Sequence, residues 1–368
     1  MKICRIDRPP LNALMMKFPQ REFHILSRLE GKGHTVVRYQ LKPVRIPSKY
    51  LSYGIGAIIS IARFKKSVCD VLVADNIESA AAAMLIRIIY RTPFVFDMID
   101  DYSAITRHDG FRMRHMLIRI FEKMLPRLAD AVIVVDEHKR RYSLKLGVKK
   151  EKIAFVPVGT DTGQFCPDLQ SVNPLGRDAP GNGGIVLYAG KINKYYRHET
   201  IIEAVPHVLG KFPDVKFVLI GEGDNVQKLK DMCRRFGVDD SVVFTGFKKP
   251  EEIPSFISAA DICVFPLPDS SALAIYEYMA CGKPAVVPGE SNEKMGIKDD
   301  LIPSDCIARV ENSPQGFAEA INRLLADSGL RERIGRKARK FAESFDWNEL
   351  TSRYETALKS VVKDGKAY

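Results

Sequence analysis

The sequence predicts an α/β protein built from two doubly wound, Rossmann-like parallel sheets that face each other across a cleft. Three observations predict it. Short β-branched or apolar runs alternate with helical stretches over most of the chain. The alternation is interrupted once, by the loop-forming segment 171–184, rich in Gly, Pro and Asn. And 368 residues is more than a single core usually organises, so two domains are expected.

The elements follow in order. Lys2–Asp7 reads as a strand, Gln20–Gly31 as a helix closed by glycine, and His34–Gln40 as the next strand. Val71–Ala74, Phe94–Met98 and Ala131–Val135 are runs suited to strands covered on both faces. The alanine-rich stretch Ser79–Tyr90 is helical. After the linker, Ile185–Ala189, Val215–Ile220 and Val242–Thr245 read as strands. Thr200–Phe212, Asp224–Phe236 and Pro250–Ala259 read as the helices between them. The strand-like 261–268 leads through a loop and a helix to Gly282 and a further strand at 283–287. Cys306–Arg309 is a last strand and Pro314–Leu325 a helix. Arg331–Lys359 reads as one helical tail. The expected division is a domain over 1–170, the linker 171–184, a second domain over 185–345, and a C-terminal helix, 346–368, returning to the first domain with Trp347 as anchor.

Composition bounds the function. Apolar residues at 46% and charged residues at 27% are ordinary for a globular protein. The seven cysteines show no C-x-x-C pair and read as reduced core residues, and no His/Cys cluster suggests a metal. Met1-Lys2 run straight into a strand, so no leader is expected, and no apolar run reaches 18 residues. The expected location is cytoplasmic. Charge is one-sided: residues 1–170 hold 29 Lys and Arg against 17 Asp and Glu, a net of +12, while the rest is at −1. Such a bias points to a polyanion, and nucleic-acid motifs are absent. The apolar run 51–62 with basic ends and the basic, helically periodic stretch 107–125 favour an anionic membrane surface, reached peripherally from the inner face. The plainer reading is a solvated basic surface.

The chemistry concentrates at Asp269-Ser-Ser-Ala-Leu-Ala-Ile-Tyr-Glu277-Tyr-Met-Ala-Cys-Gly282. A small-residue loop opening a helix leaves backbone N–H groups free for an anion, and the flanking carboxylates suit sugar hydroxyls. On its own, Asp269 could equally be a helix cap.

This segment resembles the Glu-x7-Glu region of retaining glycosyltransferases with the GT-B fold, specifically glycosyltransferase family 4, with Asp269 in place of the first Glu. Other stretches resemble that family in the same order: Leu128–Val135, Lys152–Asp161, Tyr188-Ala-Gly-Lys191, Ile220-Gly-Glu-Gly223 and Phe244-Thr-Gly-Phe247. The resemblance implies a sugar moved from a nucleotide sugar to a hydroxyl of a glycan, lipid-linked or small-molecule acceptor, with retention of configuration and no cofactor or metal. It implies that Lys191 and Arg197 clamp the donor diphosphate after Gly190. Asp269 would take sugar hydroxyls, Glu277 the ribose, and Ser270, Ser271, Ala272 and Leu273 would line sugar and phosphate. Phe247 would lie near the base. On the acceptor side the sequence offers Asp97, Asp100 and Asp101, which suit capping or turns equally well. It departs from the family in two places. No glycine occurs in Arg8–Pro19, and Ile99 stands where a histidine is usual. Two alternatives therefore stay open: a sugar-nucleotide epimerase on a similar fold, and a non-catalytic sugar-nucleotide-binding regulator.

Overall fold

The computed structural model describes residues 1–7, 19–41, 59, 61–65, 69–99, 112–167, 169, 183–267, 272–289 and 301–364. They form two compact units, Met1–Pro157 with Trp347–Tyr368, and Val158–Asp346.

The first unit holds β1 (Lys2–Asp7), α1 (Pro19–Gly31), β2 (Thr35–Gln40), β3 (Val71–Ala74), α2 (Ile77–Tyr90), β4 (Phe94–Met98), α3 (Arg112–Leu128), β5 (Ala131–Val134), α4 (Glu137–Lys145), β6 (Ile153–Phe155) and the last helix, α11 (Trp347–Asp364). Its sheet runs β2-β1-β3-β4-β5-β6, all parallel. The central β3, β4 and β5 are buried at every residue, which is why they read as continuous apolar runs without alternation. Asn76 opens α2 by accepting from the Ser79 N–H at 2.9 Å, and Ala80, Ala82, Ala83 and Ile86 give it a close-packing inner face. Asp130 ties α2 to the sheet. It receives Arg87 through both oxygens, at 2.6 and 2.7 Å, and the Phe94 N–H at 2.9 Å.

The last helix packs on α1. Trp347 is buried and stacks on His24 with ring centroids 5.1 Å apart. Glu355 takes Lys32 and His34 at 3.2 and 3.0 Å. The tail that reads as one helix from 331 is in fact two, α10 (Ser328–Glu343) and α11. Tertiary bonds break it: the Thr160 N–H donates to Phe345 O at 3.1 Å, and Asp346 accepts from the Thr162 N–H and hydroxyl at 2.9 and 2.7 Å.

The second unit holds β7 (Ile185–Ala189), α5 (Glu199–Leu209), β8 (Lys216–Ile220), α6 (Val226–Phe236), β9 (Val242–Gly246), α7 (Ile253–Ala259), β10 (Ile262–Val264), α8 (Leu273–Ala280), β11 (Ala285–Pro288), β12 (Ala308–Val310), α9 (Pro314–Ala326) and α10. Its parallel sheet runs β12-β11-β10-β7-β8-β9. Sequence order therefore reverses between β7 and β10, and the carboxyl ends of these two strands form the topological switch point, where open α/β sheets bind ligands. Phe165, ahead of the described part of β7, belongs to this unit's core. Arg339 of α10 donates to the carbonyls of Thr162, Phe165 and Ala280, tying the incoming chain to the end of α8.

All seven cysteines are unbridged, six of them buried and Cys166 half-buried. Among the described residues no helix is long and apolar enough to cross a membrane, and no group of three or more His, Cys, Asp or Glu could hold a metal ion.

Candidate active site

The switch point of the second unit is assembled from two loops and one helix. The first loop leaves β7 as Gly190-Lys191-Ile192 and lies backbone to backbone with the turn Gly221-Glu222-Gly223 that leaves β8. The Gly190 N–H donates to Ile220 O and the Ile192 N–H to Glu222 O, both at 2.9 Å. A Cβ on Gly221 would collide with the Gly190 carbonyl, and one on Gly223 with the Ile192 carbonyl. The Gly-Glu-Gly motif thus exists because no side chain fits between the two turns.

Hydroxyls buried beneath hold the loop. Tyr188 OH donates to Lys191 O at 2.8 Å, and Tyr278 OH, from α8, accepts the Ala189 N–H at 2.8 Å. Aromatic rings continue the support. Tyr188 meets His198 edge-on at 4.5 Å, and Tyr196 meets Phe265, at the end of β10, at 6.0 Å. The His198 ring is fully buried. Burial pushes its pKa down to about 4, so the ring is neutral at physiological pH. These rings were not legible as site residues, because which of them meet depends on how β7, β10 and the β7 loop pack together.

Three cations stand on this loop. Lys191, Lys194 and Arg197 are all exposed, and none forms an ion pair with a described residue. Arg197 adopts the left-handed conformation, with φ 53°. A β-carbon there costs about 1 kcal/mol relative to glycine. Strain of this kind is retained where surrounding structure or function requires the side chain.

Facing the loop across β10 is α8. Ala272 precedes it and offers no capping side chain, so nothing in its own side chain satisfies the helix's first N–H groups. Ala272 and Leu273 are half-buried. Glu277 sits in the second turn. It is half-buried by surface, yet its apolar surroundings push its carboxyl up to about 7, and no described residue offers it a hydrogen bond or a cation. Phe247 follows β9 and is 65% exposed. Asp269, Ser270 and Ser271 lie outside the described residues, as do Asp100 and Asp101.

Asp97 lies in the first unit, at 1% exposure near the end of β4. Its Oδ2 takes Arg21 of α1 at 2.9 Å and the Tyr354 hydroxyl of α11 at 3.2 Å. Arg21 also donates to Val156 O at 3.1 Å. Oδ2 of the carboxylate is thus held by two helices of its own unit, α1 and α11.

A family model described as "Glycosyl transferases group 1" matches residues 176–341, and one described as "Glycosyl transferase 4-like domain" matches 18–159. The chain thus carries a glycosyl transferase 4-like domain followed by a glycosyl transferases group 1 domain. Among curated relatives, spore coat protein SA of Bacillus subtilis is 30% identical over 177 residues, 45% of this chain and 46% of that protein. The D-inositol 3-phosphate glycosyltransferase of Corynebacterium kroppenstedtii is 25% identical over 340 residues, 87% of this chain and 74% of that one. The chain spans about half the length of the first curated relatives it matches. Among solved structures, Anabaena HepE in complex with UDP superposes with a TM-score of 0.73 at 18% identity, covering 98% of this chain and 100% of that one. WaaG, a glycosyltransferase of lipopolysaccharide biosynthesis, superposes at 0.64 with 15% identity, covering 97% and 99%. The fold is GT-B, each unit contributing one six-stranded parallel sheet.

Proposed function

We propose that this chain transfers a sugar, with retention of configuration, from a nucleotide sugar to a hydroxyl acceptor. The observation that carries the reading is the pair of exposed cations Lys191 and Arg197 on the loop after β7, at the switch point that also holds the N-terminus of α8 and Glu277, none of the three in an ion pair with a described residue. A departing nucleoside diphosphate gains negative charge as the glycosidic bond lengthens. Fixed cations and helix amides at that point stabilise the charge with little reorganisation, which is the work a divalent ion does elsewhere.

In this reading Lys191 and Arg197 hold the diphosphate and Glu277 accepts from the ribose hydroxyls. Ala272 and Leu273, with Ser270, Ser271 and Asp269, line sugar and phosphate, and Phe247 covers the base. The transition state is oxocarbenium-like, as in other glycosyl chemistry. A UDP-hexose is the donor to try first, since HepE has been solved with UDP and with UDP-glucose. The acceptor is a glycan, a lipid-linked sugar or a small polyol. The basic first half suits an acceptor presented at an anionic membrane. Asp97 is assigned to holding α1, β4 and α11 together, leaving Asp100 and Asp101 as acceptor-side candidates.

Calorimetric titration with UDP and other nucleoside diphosphates tests the donor site. Glu277→Ala and Lys191→Ala should each weaken binding by ~1–3 kcal/mol, the scale of losing a charge-assisted hydrogen bond. Unchanged affinity in both removes the assignment. Incubating the nucleotide sugar without acceptor then separates transfer from epimerisation: a new sugar nucleotide would favour the epimerase.

A further inference from the structure

The crossover helices α2 and α3 of the first unit pack against each other, and their outer faces are apolar where a solvated face would be polar. They link β3 to β4 and β4 to β5, so right-handed crossovers place them on the same side of the sheet. On α2, Leu85, Ile88 and Ile89 share the outer face, with Ile88 63% and Ile89 60% exposed. On α3, Met116 and Ile120 are 55% and 51% exposed, and Leu128 is exposed at the end. Scattered exposed leucines need no explanation, but six large apolar side chains on two neighbouring helices do.

The charges among them are of one sign. Met116, Arg119, Ile120 and Lys123 fall on one side of α3 at helical spacing, and Arg119 and Lys123 are exposed. Arg91, also exposed, closes α2 beside Ile88 and Ile89. None of these three cations is in an ion pair with a described residue. The one acid of α3, Glu122, is buried, and Asp130 is taken by Arg87. Glu78, the acid of α2, is in its first turn, about 15 Å along the helix from Ile88.

We infer that this α2–α3 face is the membrane-docking surface, with Ile88, Ile89, Met116 and Ile120 entering the headgroup boundary and Arg91, Arg119 and Lys123 meeting anionic lipid. Charge decides the occupant. A second copy would bring like charges together across the contact, whereas an anionic bilayer supplies both the opposite charge and the apolar layer. The inference gives a place to the membrane reading above. It does not depend on the donor site.

The test is flotation with vesicles of phosphatidylcholine alone and of phosphatidylcholine with phosphatidylglycerol, at low and high salt. The proteins are the full chain, the double variant Ile88→Ser/Ile89→Ser, and the double variant Arg119→Glu/Lys123→Glu. All four positions are exposed, so the fold should persist. The wild-type chain should float with anionic vesicles. The serine variant should lower partitioning by about tenfold or more, each lost apolar contact being worth on the order of 0.8 kcal/mol per CH2. The charge-reversed variant should lose the preference for anionic lipid, as wild type should in high salt, because exposed charges are then screened. Absence of flotation, or equal flotation by all three proteins, overturns the inference. Sedimentation velocity without lipid covers the other occupant: a wild-type dimer dissolved by the serine substitutions would make the face a contact between copies and also overturn it. UDP titration of the same proteins keeps this outcome apart from the fate of the donor site.

Discussion

The interior of the first unit and the switch point of the second treat charge in opposite ways. In the first, cations and carboxylates of the interior answer one another. Arg21 pairs with Asp97 at 2.9 Å, and Arg5 reaches Glu22 and Asp75 at 2.9 and 2.6 Å. In the second, Lys191 and Arg197 stand at the switch point without an ion pair to any described residue, and Glu277 is pushed up to about 7 without any described partner. Charges that satisfy each other specify a packing arrangement, whereas charges left unsatisfied beside strand ends and a helix N-terminus await a ligand. The contrast teaches where to look for chemistry in this fold: among groups whose environment is incomplete without something bound.

Breaking the buried pair should give the largest effect. Asp97→Ala leaves the Arg21 guanidinium buried without its counter-charge and the Tyr354 hydroxyl without its acceptor, and should cost ~3–5 kcal/mol. Trp347 is the sole tryptophan and lies in this unit, so urea unfolding followed by its fluorescence reads the effect directly. Full stability in the variant, with transfer abolished, would return Asp97 to the acceptor side and blur the contrast.

The next prediction concerns Glu277. Its carboxyl holds a proton more tightly in the folded state, with a pKa near 7, than in the unfolded chain, where about 4.5 is ordinary. Folding stability therefore falls as pH rises from about 4.5 through 7, and the full cost is present above 7. Glu277→Gln should remove it. The unliganded variant should gain ~1–2 kcal/mol at pH 8, a figure reduced because the side chain is half-exposed, and almost nothing at pH 5. Nucleotide affinity should fall in the same variant. Calorimetric melting at the two pH values checks the sign, and an unstabilised variant at pH 8 would show that Glu277 is already satisfied in the free protein.

The smallest effect sharpens the comparison at one backbone position. Because Arg197 is left-handed, Arg197→Gly should be more stable than Arg197→Ala by about 1 kcal/mol, while both lose diphosphate affinity alike. Melting temperatures and UDP titrations of the two variants decide it. Equal stability would mean the loop relaxes on substitution and is not held for its side chain.

Much of the fold was legible because its rules are local. Val71–Ala74, Phe94–Met98 and Ile185–Ala189 announce buried parallel strands by unbroken apolar runs, and the structure has strands at those residues. Gly221 and Gly223 stand out in the sequence only as a family-like motif, and the structure shows what they approach, the Gly190 and Ile192 carbonyls. The candidate site was legible in part. Lys191 and Glu277 could be singled out from motif position, but the supports of the site could not. Tyr188, Tyr278 and His198 act on the β7 loop through contacts that depend on how strands and helices pack.

What the sequence by itself determined is the order of elements, the two-sheet α/β class, the glycine turns and the uneven distribution of charge. Each follows from periodicity, backbone freedom or counting, none of which needs a distant partner. Only the tertiary structure decided that Asp97 is held by Arg21, 76 residues away, and that the helical tail breaks at Phe345–Asp346, where Thr160 and Thr162 claim its bonds. It alone placed Ile88 and Ile89 outward on α2 although they are as apolar as their buried neighbour Ile86. The physical reason is the same in each case. Burial and pairing are properties of two surfaces brought together, and a chain read residue by residue contains only one of them.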